Sequence, residues 1–332
     1  MSNTNARSGV ATSRQSEPGD ARPSAPVEPT VRRGRRVHRV VRLVCTDLDG
    51  TLLDSAGAIR KRTLSTLAEA GRAEVAVVGV TGRPVRDTLD LARRYGLTGP
   101  VVCSNGAVTV DAASGRLLDC RGFRPGDAAR ILRAVRDAVP GVALGVDSVS
   151  GLRLETSFVR LVPNDWRHTA LEGVSAPGDA DPVVKILAAH PMLLVDELAA
   201  VIGSVVDGGR VITRSTGDFL ELSAPGVDKG AALRSLAERS GLPLEHTAAV
   251  GDMPNDIPML RAAGLAAAVA NAHEDTLRAA DIVLPSNDDE GVAALIRLVL
   301  PRVAAWRPAA SEGRVPVRGV RHGTERACAP LP

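Results

Sequence analysis

The decapeptide Cys45-Thr46-Asp47-Leu48-Asp49-Gly50-Thr51-Leu52-Leu53-Asp54 is the most informative stretch of the chain, because it places two carboxylates at the end of an apolar run. The run over residues 40–45 is short, as expected of a buried parallel strand, and Gly50 and Thr51 end it. Ligands of open α/β sheets bind beyond the carboxyl ends of the strands, so Asp47 and Asp49 should project toward a ligand on the same side of an extended chain. Two anions this close repel each other unless a cation is shared, and Mg²⁺ is the simplest candidate.

Both ends of the 332-residue chain differ from its middle. Residues 1–38 are rich in Ser, Pro, Gly, Ala and Arg, a composition typical of a disordered tail, and residues 301–332 resemble them. About 260 residues therefore remain to fold as one or two domains. The net charge of +3 conceals a partition, because residues 1–42 carry +6, residues 301–332 carry +4 and the middle carries −7. The part that folds is acidic.

A basic run, residues 32–39, precedes the first predicted strand. Such a run can contact nucleic acid or an anionic membrane, but no aromatic side chains are interleaved for base stacking, and we interpret it as a solvated linker. We therefore expect neither nucleic acid nor a membrane as a partner. An export signal with paired arginines needs an apolar stretch after them, and Asp47 comes too soon. No run of about 18 apolar residues is present, so the sequence predicts no transmembrane helix.

The four cysteines have neither the spacing nor the paired histidines of a zinc site. Cys45 and Cys103 lie within apolar runs, where buried free thiols are expected. Free thiols are typical of a reducing compartment, so the sequence favours a cytoplasmic protein.

Strand and helix patterns alternate after the decapeptide, in the order expected of a doubly wound parallel sheet. The first half comprises a helix over 59–70, a strand over 75–80, a helix over 85–95 and a strand over 100–103. The second half comprises helices over 229–240, 257–263 and 291–300 and strands over 247–250, 265–269 and 281–284.

Residues 117–217 break this alternation. The patterns there predict helices over 127–138 and 193–206 and strands over 142–146, 152–158, 183–189, 211–214 and 219–222. This is an α+β insert of about 100 residues, which is long enough for a separate small domain. The insert lies between the third and fourth strands of the parallel sheet.

Polar residues at the strand ends match the needs of phosphoryl transfer, which are a nucleophile, positive charge around the phosphoryl oxygens and a proton for the leaving group. Asp47 would attack phosphorus and form an aspartyl phosphate, which divides one displacement into two easier ones. Asp49 would protonate the leaving alkoxide and then activate water, with a plain turn aspartate as the alternative interpretation.

Thr81-Gly82-Arg83 ends the second strand, and Lys229-Gly230 opens a helix. The Thr81 hydroxyl and the Gly82 N–H can donate to phosphate oxygens, while Arg83 either braces the loop or binds substrate. A lysine in the first turn of a helix opposes the helix dipole. A functional role explains this position, and we expect Lys229 to hold the phosphoryl group and temper the charge of Asp47.

The segment 251–256 follows the predicted strand that begins at residue 247. Asp252 would be the second side-chain carboxylate on Mg²⁺, with Asp47 and the backbone carbonyl of Asp49 as the other protein ligands. Asn255 can hydrogen-bond phosphate, and Asp256 can hold either Lys229 or a water on the metal.

These four segments resemble the ordered motifs of haloacid dehalogenase (HAD) phosphatases. The insert, together with Ser104-Asn105-Gly106-Ala107 and Phe219-Leu220-Glu221-Leu222, is similar to the Cof-like (type IIB) subfamily. The resemblance covers about residues 40–300, and no motif position departs from the pattern. It implies a doubly wound parallel Rossmann-like core over 39–112 and 218–300 with an inserted α+β cap domain over 113–217.

The resemblance further implies Mg²⁺-dependent hydrolysis of small phosphorylated metabolites, which are sugar phosphates, nucleotides or cofactor phosphates. A mobile cap would exclude water and supply specificity contacts. The catalytic residues are then Asp47, Asp49, Thr81 and Lys229, and the metal ligands are Asp47, Asp49 and Asp252. Phosphate binding falls to Leu48, Thr81, Gly82, Asn105, Lys229 and Asn255, with Arg83, Gly106, Asp256, Lys185 and Arg214 in support.

Several alternatives stay open at this point. Lys185 is polar within an apolar strand, so it faces either substrate or solvent. Within enzymes, the rivals are a sugar phosphomutase and a dedicated phosphatase of the sucrose-phosphate or mannosyl-phosphoglycerate type. A different class of function is a non-catalytic regulator that binds a phospholigand or RNA, although the complete set of motif residues argues against it.

Overall fold

The structure of the protein is a computed structural model that describes residues 30–31, 40–162, 168–175, 181–206, 211–213 and 219–300. The strands are β1 (Thr30–Val31), β2 (Leu43–Thr46), β3 (Ala76–Gly79), β4 (Pro100–Cys103), β5 (Val108–Asp111), β6 (Leu117–Cys120), β7 (Ala143–Ser148), β8 (Gly151–Glu155), β9 (His168–Leu171), β10 (Val183–Ala189), β11 (Val211–Thr213), β12 (Leu220–Ser223), β13 (Thr247–Gly251), β14 (Leu265–Val269) and β15 (Ile282–Leu284). The helices are α1 (Lys61–Arg72), α2 (Val85–Tyr95), α3 (Asp127–Ala138), α4 (Thr156–Leu161), α5 (Val195–Val205), α6 (Lys229–Arg239), α7 (Ile257–Ala262), α8 (Glu274–Ala279) and α9 (Gly291–Val299). Within these ranges, no helix has both the length and the apolarity to cross a membrane.

The strand before Asp47 lies at the centre of a parallel sheet. Its strand order is β15-β14-β13-β2-β3, and a single parallel bridge between Val80 and Val102 continues it to β4. Side chains of β2 alternate between the two faces, with Val44 packed in a cluster with α1 and α9, and Cys45 in a cluster with α6 and α7. Helices therefore cover both faces of the sheet, which confirms the predicted doubly wound α/β fold.

Between β4 and α6 the chain forms a second sheet in the order β11-β12-β10-β7-β8-β9. Its pairs are antiparallel except β8 with β9. One face packs on α3 and α5 through an apolar cluster that extends to α2 and β5. The other face carries α4, where the rings of Phe158 and Phe219 meet edge to face at 5.6 Å. The predicted inserted α+β unit is thus present beside the parallel core.

The structure differs from the sequence prediction at several places. The predicted strand over 152–158 ends at Glu155, because the chain continues from Thr156 as α4, and neither β9 nor α8 was predicted. The strand at Pro100–Cys103 pairs on its other side with β5, in a hairpin of β5 and β6 that the sequence pattern did not predict. The predicted core resumes at residue 218, whereas Leu220–Ser223 pairs with β10 and β11 of the antiparallel sheet. Within the predicted tail 1–38, Thr30–Val31 pairs with the edge strand β15. The remainder of that tail up to residue 38, and residues 301–332, lie outside the described residues.

Candidate active site

Four polar loops meet where the strands β13, β2, β3 and β4 end. Asp47 follows β2, Thr81 comes shortly after β3, the turn Ser104–Gly106 follows β4, and Asp252 follows β13. The N–H of Asp47 donates to Val250 O at 2.9 Å, which ties the end of β2 to the neighbouring strand. Because parallel strands end at one edge of the sheet, loops from distant parts of the chain share one crevice.

Asp47, Lys229 and Asp256 form the buried centre of this crevice. The Nζ of Lys229 donates to Asp47 Oδ1 at 2.6 Å and to Asp256 Oδ1 at 2.7 Å. Lys229 is the first residue of α6, and the Asp228 carboxylate caps that helix by accepting from Ala231 N at 2.7 Å. Asp47 is only 5 % exposed and Lys229 only 1 %. The helix start therefore places an ammonium group directly on the predicted nucleophile.

Asp252 completes a group of three buried carboxylates. One oxygen from each of Asp47, Asp252 and Asp256 lies within 4.8 Å of the others. Thr51 Oγ1 donates to Asp252 Oδ1 at 2.8 Å. Gly50 has a left-handed backbone with φ +75°, and a Cβ there would lie 2.5 Å from Asp252 Oδ2. The decapeptide thus orients Asp252 across the crevice as well as supplying Asp47.

Burial raises the pKa of Asp47 well above its ordinary value, and the neighbouring carboxylates raise it further, whereas Lys229 lowers it. Burial also raises the pKa of Asp252 to about 6, and Asp256 adds to that shift. For Lys229, burial lowers the pKa, but Asp256 and Asp47 outweigh burial and raise it above its ordinary value. The ammonium therefore stays charged, and one positive charge faces three carboxylates.

This charge surplus fits a hard divalent cation. Three ionised carboxylates and one ammonium leave two uncompensated negative charges in a buried site. All donors are carboxylate oxygens, which suit Mg²⁺ or Ca²⁺ and not a thiolate-seeking metal. Asp256 also binds Lys229 and accepts from the N–H groups of Asp252 and Met253 at 3.0 and 2.9 Å. Asp47 and Asp252 are therefore the carboxylates with the most freedom to hold such an ion.

Asp49 points away from this buried group. Its side chain is 52 % exposed, and Arg83 binds it through two nitrogens, Nε to Oδ2 at 2.8 Å and Nη2 to Oδ1 at 2.6 Å. The sequence predicted that the Asp47 and Asp49 side chains project toward a ligand on the same side of an extended chain, whereas the structure pairs the Asp49 carboxylate with Arg83. The turn Leu48–Leu52 begins directly after Asp47, so the alternation of an extended strand does not hold between the two residues. Of the two predicted roles of Arg83, the bracing contact is the one observed.

The remaining phosphate-binding candidates line the same crevice. Thr81 Oγ1 accepts from Arg83 N at 3.1 Å, and the Thr81 carbonyl accepts from Asn105 N at 2.9 Å. The Asn255 amide nitrogen donates to Asn105 Oδ1 at 3.2 Å. The Leu48 side chain is buried in the apolar cluster around α1 and α9, so only its backbone is available to a ligand. The structure thus joins the loops of Thr81, Asn105 and Asn255 by direct hydrogen bonds.

Gly106 belongs to the same turn and packs against the start of α6. Its φ is +105°, and a Cβ there would lie 2.4 Å from the carbonyl oxygen of Asp228. Only glycine allows this approach between the turn after β4 and the helix that carries Lys229.

Comparison with known proteins identifies the family. A family model described as haloacid dehalogenase-like hydrolase matches residues 44–296. The chain belongs to the haloacid dehalogenase-like hydrolases. This hydrolase is 29 % identical over 267 residues to a phosphoglycolate phosphatase of Methanopyrus kandleri, a match that covers 79 % of this chain and 99 % of the relative. It is 30 % identical over 267 residues to a phosphoglycolate phosphatase of Methanoculleus marisnigri, with 79 % and 98 % covered.

A solved structure agrees with these relatives. The structure of a haloacid dehalogenase-like hydrolase from B. subtilis superimposes with a TM-score of 0.68 at 27 % identity, and covers 77 % of this hydrolase and 99 % of that chain. The predicted superfamily and Cof-like subfamily are confirmed, as is the enzyme class of HAD-family phosphatase.

The sequence predicted two supporting site residues in the insert of this hydrolase, Lys185 and Arg214. Arg214 lies outside the described residues. Lys185 is 1 % exposed, so the alternative that it faces solvent is wrong, and its Nζ contacts Glu221 Oε1 at 2.6 Å and Gly82 O at 2.7 Å. Sequence reasoning missed Asp147, which accepts from Ser104 Oγ at 2.5 Å, and assigned no site role to Glu221. A charged residue inside an apolar strand was the available signal. It applied to Lys185 and equally to Glu221 in Phe219-Leu220-Glu221-Leu222, whereas Asp147 follows its apolar run.

Proposed function

We propose that this chain is a Mg²⁺-dependent phosphomonoester hydrolase that forms an aspartyl phosphate on Asp47. The contact of 2.6 Å between Lys229 Nζ and Asp47 Oδ1, within the three-carboxylate group, is the observation that supports it most directly. Lys229 stabilises the ionised carboxylate, which is the nucleophilic form, and fixes its orientation. The buried position shields it from bulk water, so the ester is the reaction partner in reach.

In the first half of the reaction, an oxygen of Asp47 forms a bond to phosphorus while the bond from phosphorus to the ester oxygen breaks. Charge on the phosphoryl oxygens is met by the Lys229 ammonium, the Thr81 hydroxyl and backbone N–H groups of the crevice. Asp49, as the neutral acid, gives its proton to the departing alkoxide. Its half-exposed side chain can exchange that proton with solvent.

In the second half, Asp49 accepts a proton from water as the water oxygen bonds to phosphorus. The bond from phosphorus to Asp47 then breaks, which releases inorganic phosphate, restores the Asp47 carboxylate and leaves Asp49 as the neutral acid again. Arg83 holds Asp49 through two nitrogens and so limits where its carboxyl group can lie during both proton transfers. Asn105 and Asn255, joined to each other, keep the facing loops together.

Asp47 and Asp252 would hold the Mg²⁺, because their oxygens lie close together. Burial, with the neighbouring carboxylates adding to it, raises the pKa of both groups, so a cation that shares them would relieve the cost of their charge. When bound, the ion neutralises charge on the phosphoryl group and so favours attack by an anion.

The substrate class that we propose is a small phosphorylated metabolite. The two phosphoglycolate phosphatases at 29 % and 30 % identity make phosphoglycolate the first compound to test. Sugar phosphates, nucleotides and cofactor phosphates complete the panel. Conversion of a sugar phosphate without release of inorganic phosphate would instead indicate the phosphomutase.

The decisive test is Asp47→Asn, which removes the nucleophile and preserves the size of the side chain. We expect no measurable phosphate release, a melting temperature near that of the unchanged protein, and loss of the acid-stable label that a phosphorus-radiolabelled substrate leaves on the native enzyme. Equal activity of the folded variant would rule out Asp47 as the nucleophile. The removal of residues 1–38 is the companion test, and we expect nearly unchanged turnover of small phosphates.

We also propose a cytoplasmic location. The described cysteines Cys45, Cys103 and Cys120 are free thiols, and burial raises the pKa of Cys45 and Cys103 to about 12, so both stay protonated and unreactive. Detection of the native protein in a cell fraction free of membranes and secreted material tests this.

A further inference from the structure

A second buried charged cluster joins the antiparallel sheet to the active-site loops. It consists of Asp147 on β7, Lys185 on β10 and Glu221 on β12, which are 1 %, 1 % and 0 % exposed. Lys185 lies opposite Asp147 in one strand pair, and Glu221 lies opposite Leu187, two residues further along β10. Since side chains alternate along strands, all three point to the same face of the sheet. Intervening residues such as Ile186 pack on the other face, toward α3 and α5.

Lys185 holds a peptide group of the phosphate-binding loop. Its Nζ donates to Gly82 O at 2.7 Å, and the next peptide nitrogen, Arg83 N, donates to Thr81 Oγ1 at 3.1 Å. One peptide plane therefore has its carbonyl fixed by Lys185 and its N–H fixed on Thr81. Because Oγ1 already accepts this bond, and no acceptor for its own proton lies among the described residues, the Thr81 hydroxyl is set to donate to a ligand.

Glu221 fixes the Asn105 carboxamide. Its Oε2 accepts from Asn105 Nδ2 at 2.7 Å, while its Oε1 accepts from Lys185 at 2.6 Å. A carboxylate only accepts, so the amide nitrogen of Asn105 must face Glu221 and its oxygen must face the other way. That oxygen receives the bond from Asn255 Nδ2 at 3.2 Å. The orientation set by Glu221 thus extends to the loop that carries Asp252.

The turn Ser104–Gly106, which these side chains hold, has an unfavourable backbone conformation. Ser104 and Asn105 have φ angles of +51° and +57°, and left-handed geometry costs a non-glycine residue about 1–2 kcal/mol. Asp147 binds the side chain of Ser104 at 2.5 Å, and Glu221 binds that of Asn105. Such geometry persists only where surrounding groups hold it. Both holding groups come from the antiparallel sheet.

Stability alone does not explain an ion pair at this place. Well-packed apolar residues stabilise a buried contact at least as well as a lysine and a glutamate do, because the desolvation penalty offsets the attraction. Apolar residues would, however, leave the Gly82 carbonyl and the Asn105 amide without their partners. The contacts of the pair with active-site groups are therefore the feature that needs explanation.

We propose that Lys185 and Glu221 are positioning residues of the phosphate site, which hold the Gly82–Arg83 peptide and the Asn105 carboxamide in phosphate-binding geometry. This inference rests on the proposed function, because it takes Thr81 and Asn105 as phosphate ligands. It makes phosphate affinity depend on the antiparallel sheet, although no residue of the pair touches phosphate.

The test is the double variant Lys185→Met/Glu221→Gln, which removes both charges of the ion pair. Its matched control is Arg136→Met/Glu155→Gln, because that pair, at 2.6 Å, contacts Leu144 and Val174 of the same unit and not the active-site loops. Melting temperature, kcat and KM for a small ester, and competitive inhibition by inorganic phosphate are measured with Mg²⁺ present.

We expect the Lys185/Glu221 variant to lose roughly 10- to 100-fold in kcat, as for misplaced catalytic groups, with weakened phosphate inhibition. The control should change melting temperature only. Unchanged phosphate inhibition overturns the proposal, and if KM for the ester rises at the same time, the pair binds the leaving group instead. Equal losses in the control also overturn it, because a general loss of stability then accounts for both.

If the double variant does not fold, the milder Glu221→Gln decides, since its amide oxygen can still accept from Asn105 but the ionic contact with Lys185 is gone. We expect phosphate inhibition to be weakened in Glu221→Gln and to be near normal in Lys185→Arg. Normal phosphate inhibition in a folded Glu221→Gln protein overturns the proposal. If Asp47→Asn is inactive and the double variant keeps normal kcat and phosphate inhibition, the positioning role is refuted and the proposed function stands. An active Asp47→Asn refutes the proposed function, and phosphate inhibition of the double variant still decides the positioning role.

Discussion

The parallel core and the antiparallel sheet each contain a buried lysine, and the surroundings of the two lysines differ. Lys229 in the parallel core and Lys185 in the antiparallel sheet are both 1 % exposed, and each lies 2.6 Å from a carboxylate oxygen. Lys229 faces a surplus, because three carboxylates share its charge. Lys185 has Glu221 as its ion-pair partner and a backbone carbonyl as its second acceptor.

The two clusters differ in how many carboxylates share one ammonium. Lys185 has two near it, Glu221 and Asp147, and both are bonded to the turn after β4, so this cluster holds its neighbours. Lys229 has three, and that larger excess calls for a further cation and leaves Asp47 able to react. The number of carboxylates for each ammonium, more than burial, therefore separates the proposed reaction centre from its support.

Of the changes that compare the two lysines, loss of the Lys229 ammonium should have the largest effect on activity. Lys229→Met leaves three buried carboxylates without a permanent positive partner and deletes a donor to the phosphoryl group. We expect kcat to fall by about 1,000-fold, which is the upper range for loss of one transition-state donor. Steady-state assays with saturating Mg²⁺ check this, together with a melt that shows the variant folded. A loss no larger than that of Lys185→Met/Glu221→Gln would contradict the distinction between the two lysines.

A divalent cation should stabilise the three carboxylates around Lys229 in a pH-dependent way. Without an ion, the raised pKa of Asp252, about 6, means that its protonated form favours folding, and this stabilisation is lost as pH rises through about 6. Bound Mg²⁺ replaces the lost proton. We expect a saturating ion, at about 100 times its Kd, to add roughly 2–3 kcal/mol near neutral pH and much less near about pH 4.5. Calorimetric melts with Mg²⁺ and with a chelator measure this, and a pH-independent increment would contradict it.

The active-site loops were predictable from sequence because each lies within a short segment of the chain. Asp47, Thr81, Lys229 and Asp252 each follow a buried strand or begin a helix, and the parallel order of the strands dictates that they meet. The direction of the Asp49 carboxylate was not predictable in this way, because the turn Leu48–Leu52 begins between Asp47 and Asp49. Alternation along an extended strand, on which that prediction relied, does not hold across such a turn.

The contacts between the antiparallel sheet and the active-site loops were harder to predict from the sequence. The contact of Lys185 with Gly82 joins residues 103 positions apart, and that of Asn105 with Glu221 joins residues 116 apart. Hydrophobic periodicity predicts which face of a strand is buried, but not which loop of another sheet covers it. The pairing of β12 with β10, and the hairpin of β5 and β6, likewise depend on long-range packing.

A single methyl group at Gly50 should weaken the cation site with little effect elsewhere. In Gly50→Ala the new Cβ would lie 2.5 Å from Asp252 Oδ2 and displace that carboxylate. Gly57→Ala is the matched control, because its φ of +72° is similar and nothing lies within 4 Å of its Cβ. We expect both variants to lose about 1 kcal/mol of stability from the left-handed backbone.

Only Gly50→Ala should also require more Mg²⁺ for half-maximal activity, by about 10-fold, which corresponds to about 1.4 kcal/mol. Titration of activity with Mg²⁺ in the two variants measures the difference. The same Mg²⁺ requirement in both would show that backbone strain accounts for the effect and that Asp252 is not a ligand.

The smallest effect should come from Asp147, the remaining charged member of the second cluster. Burial raises its pKa to about 6, although Lys185 lowers it and Ser104 donates to it. The direction of the pH dependence follows from the pKa of Asp147 in the unfolded and folded states. The ordinary value of 3.8 applies to the unfolded chain, so the protonated form contributes stability that is complete below that value and is lost as pH rises through about 6.

Asp147→Asn mimics the protonated form at every pH and should remove this dependence. Relative to the variant, the unchanged protein should lose about 1 kcal/mol of unfolding free energy between about pH 5.5 and about pH 7.5, with most of the remaining loss at lower pH. Urea unfolding of both proteins at the two pH values gives this difference, and constant effects of the substitution cancel in it. A parallel pH dependence in the two proteins would mean that the Asp147 carboxyl does not change its protonation between these two pH values.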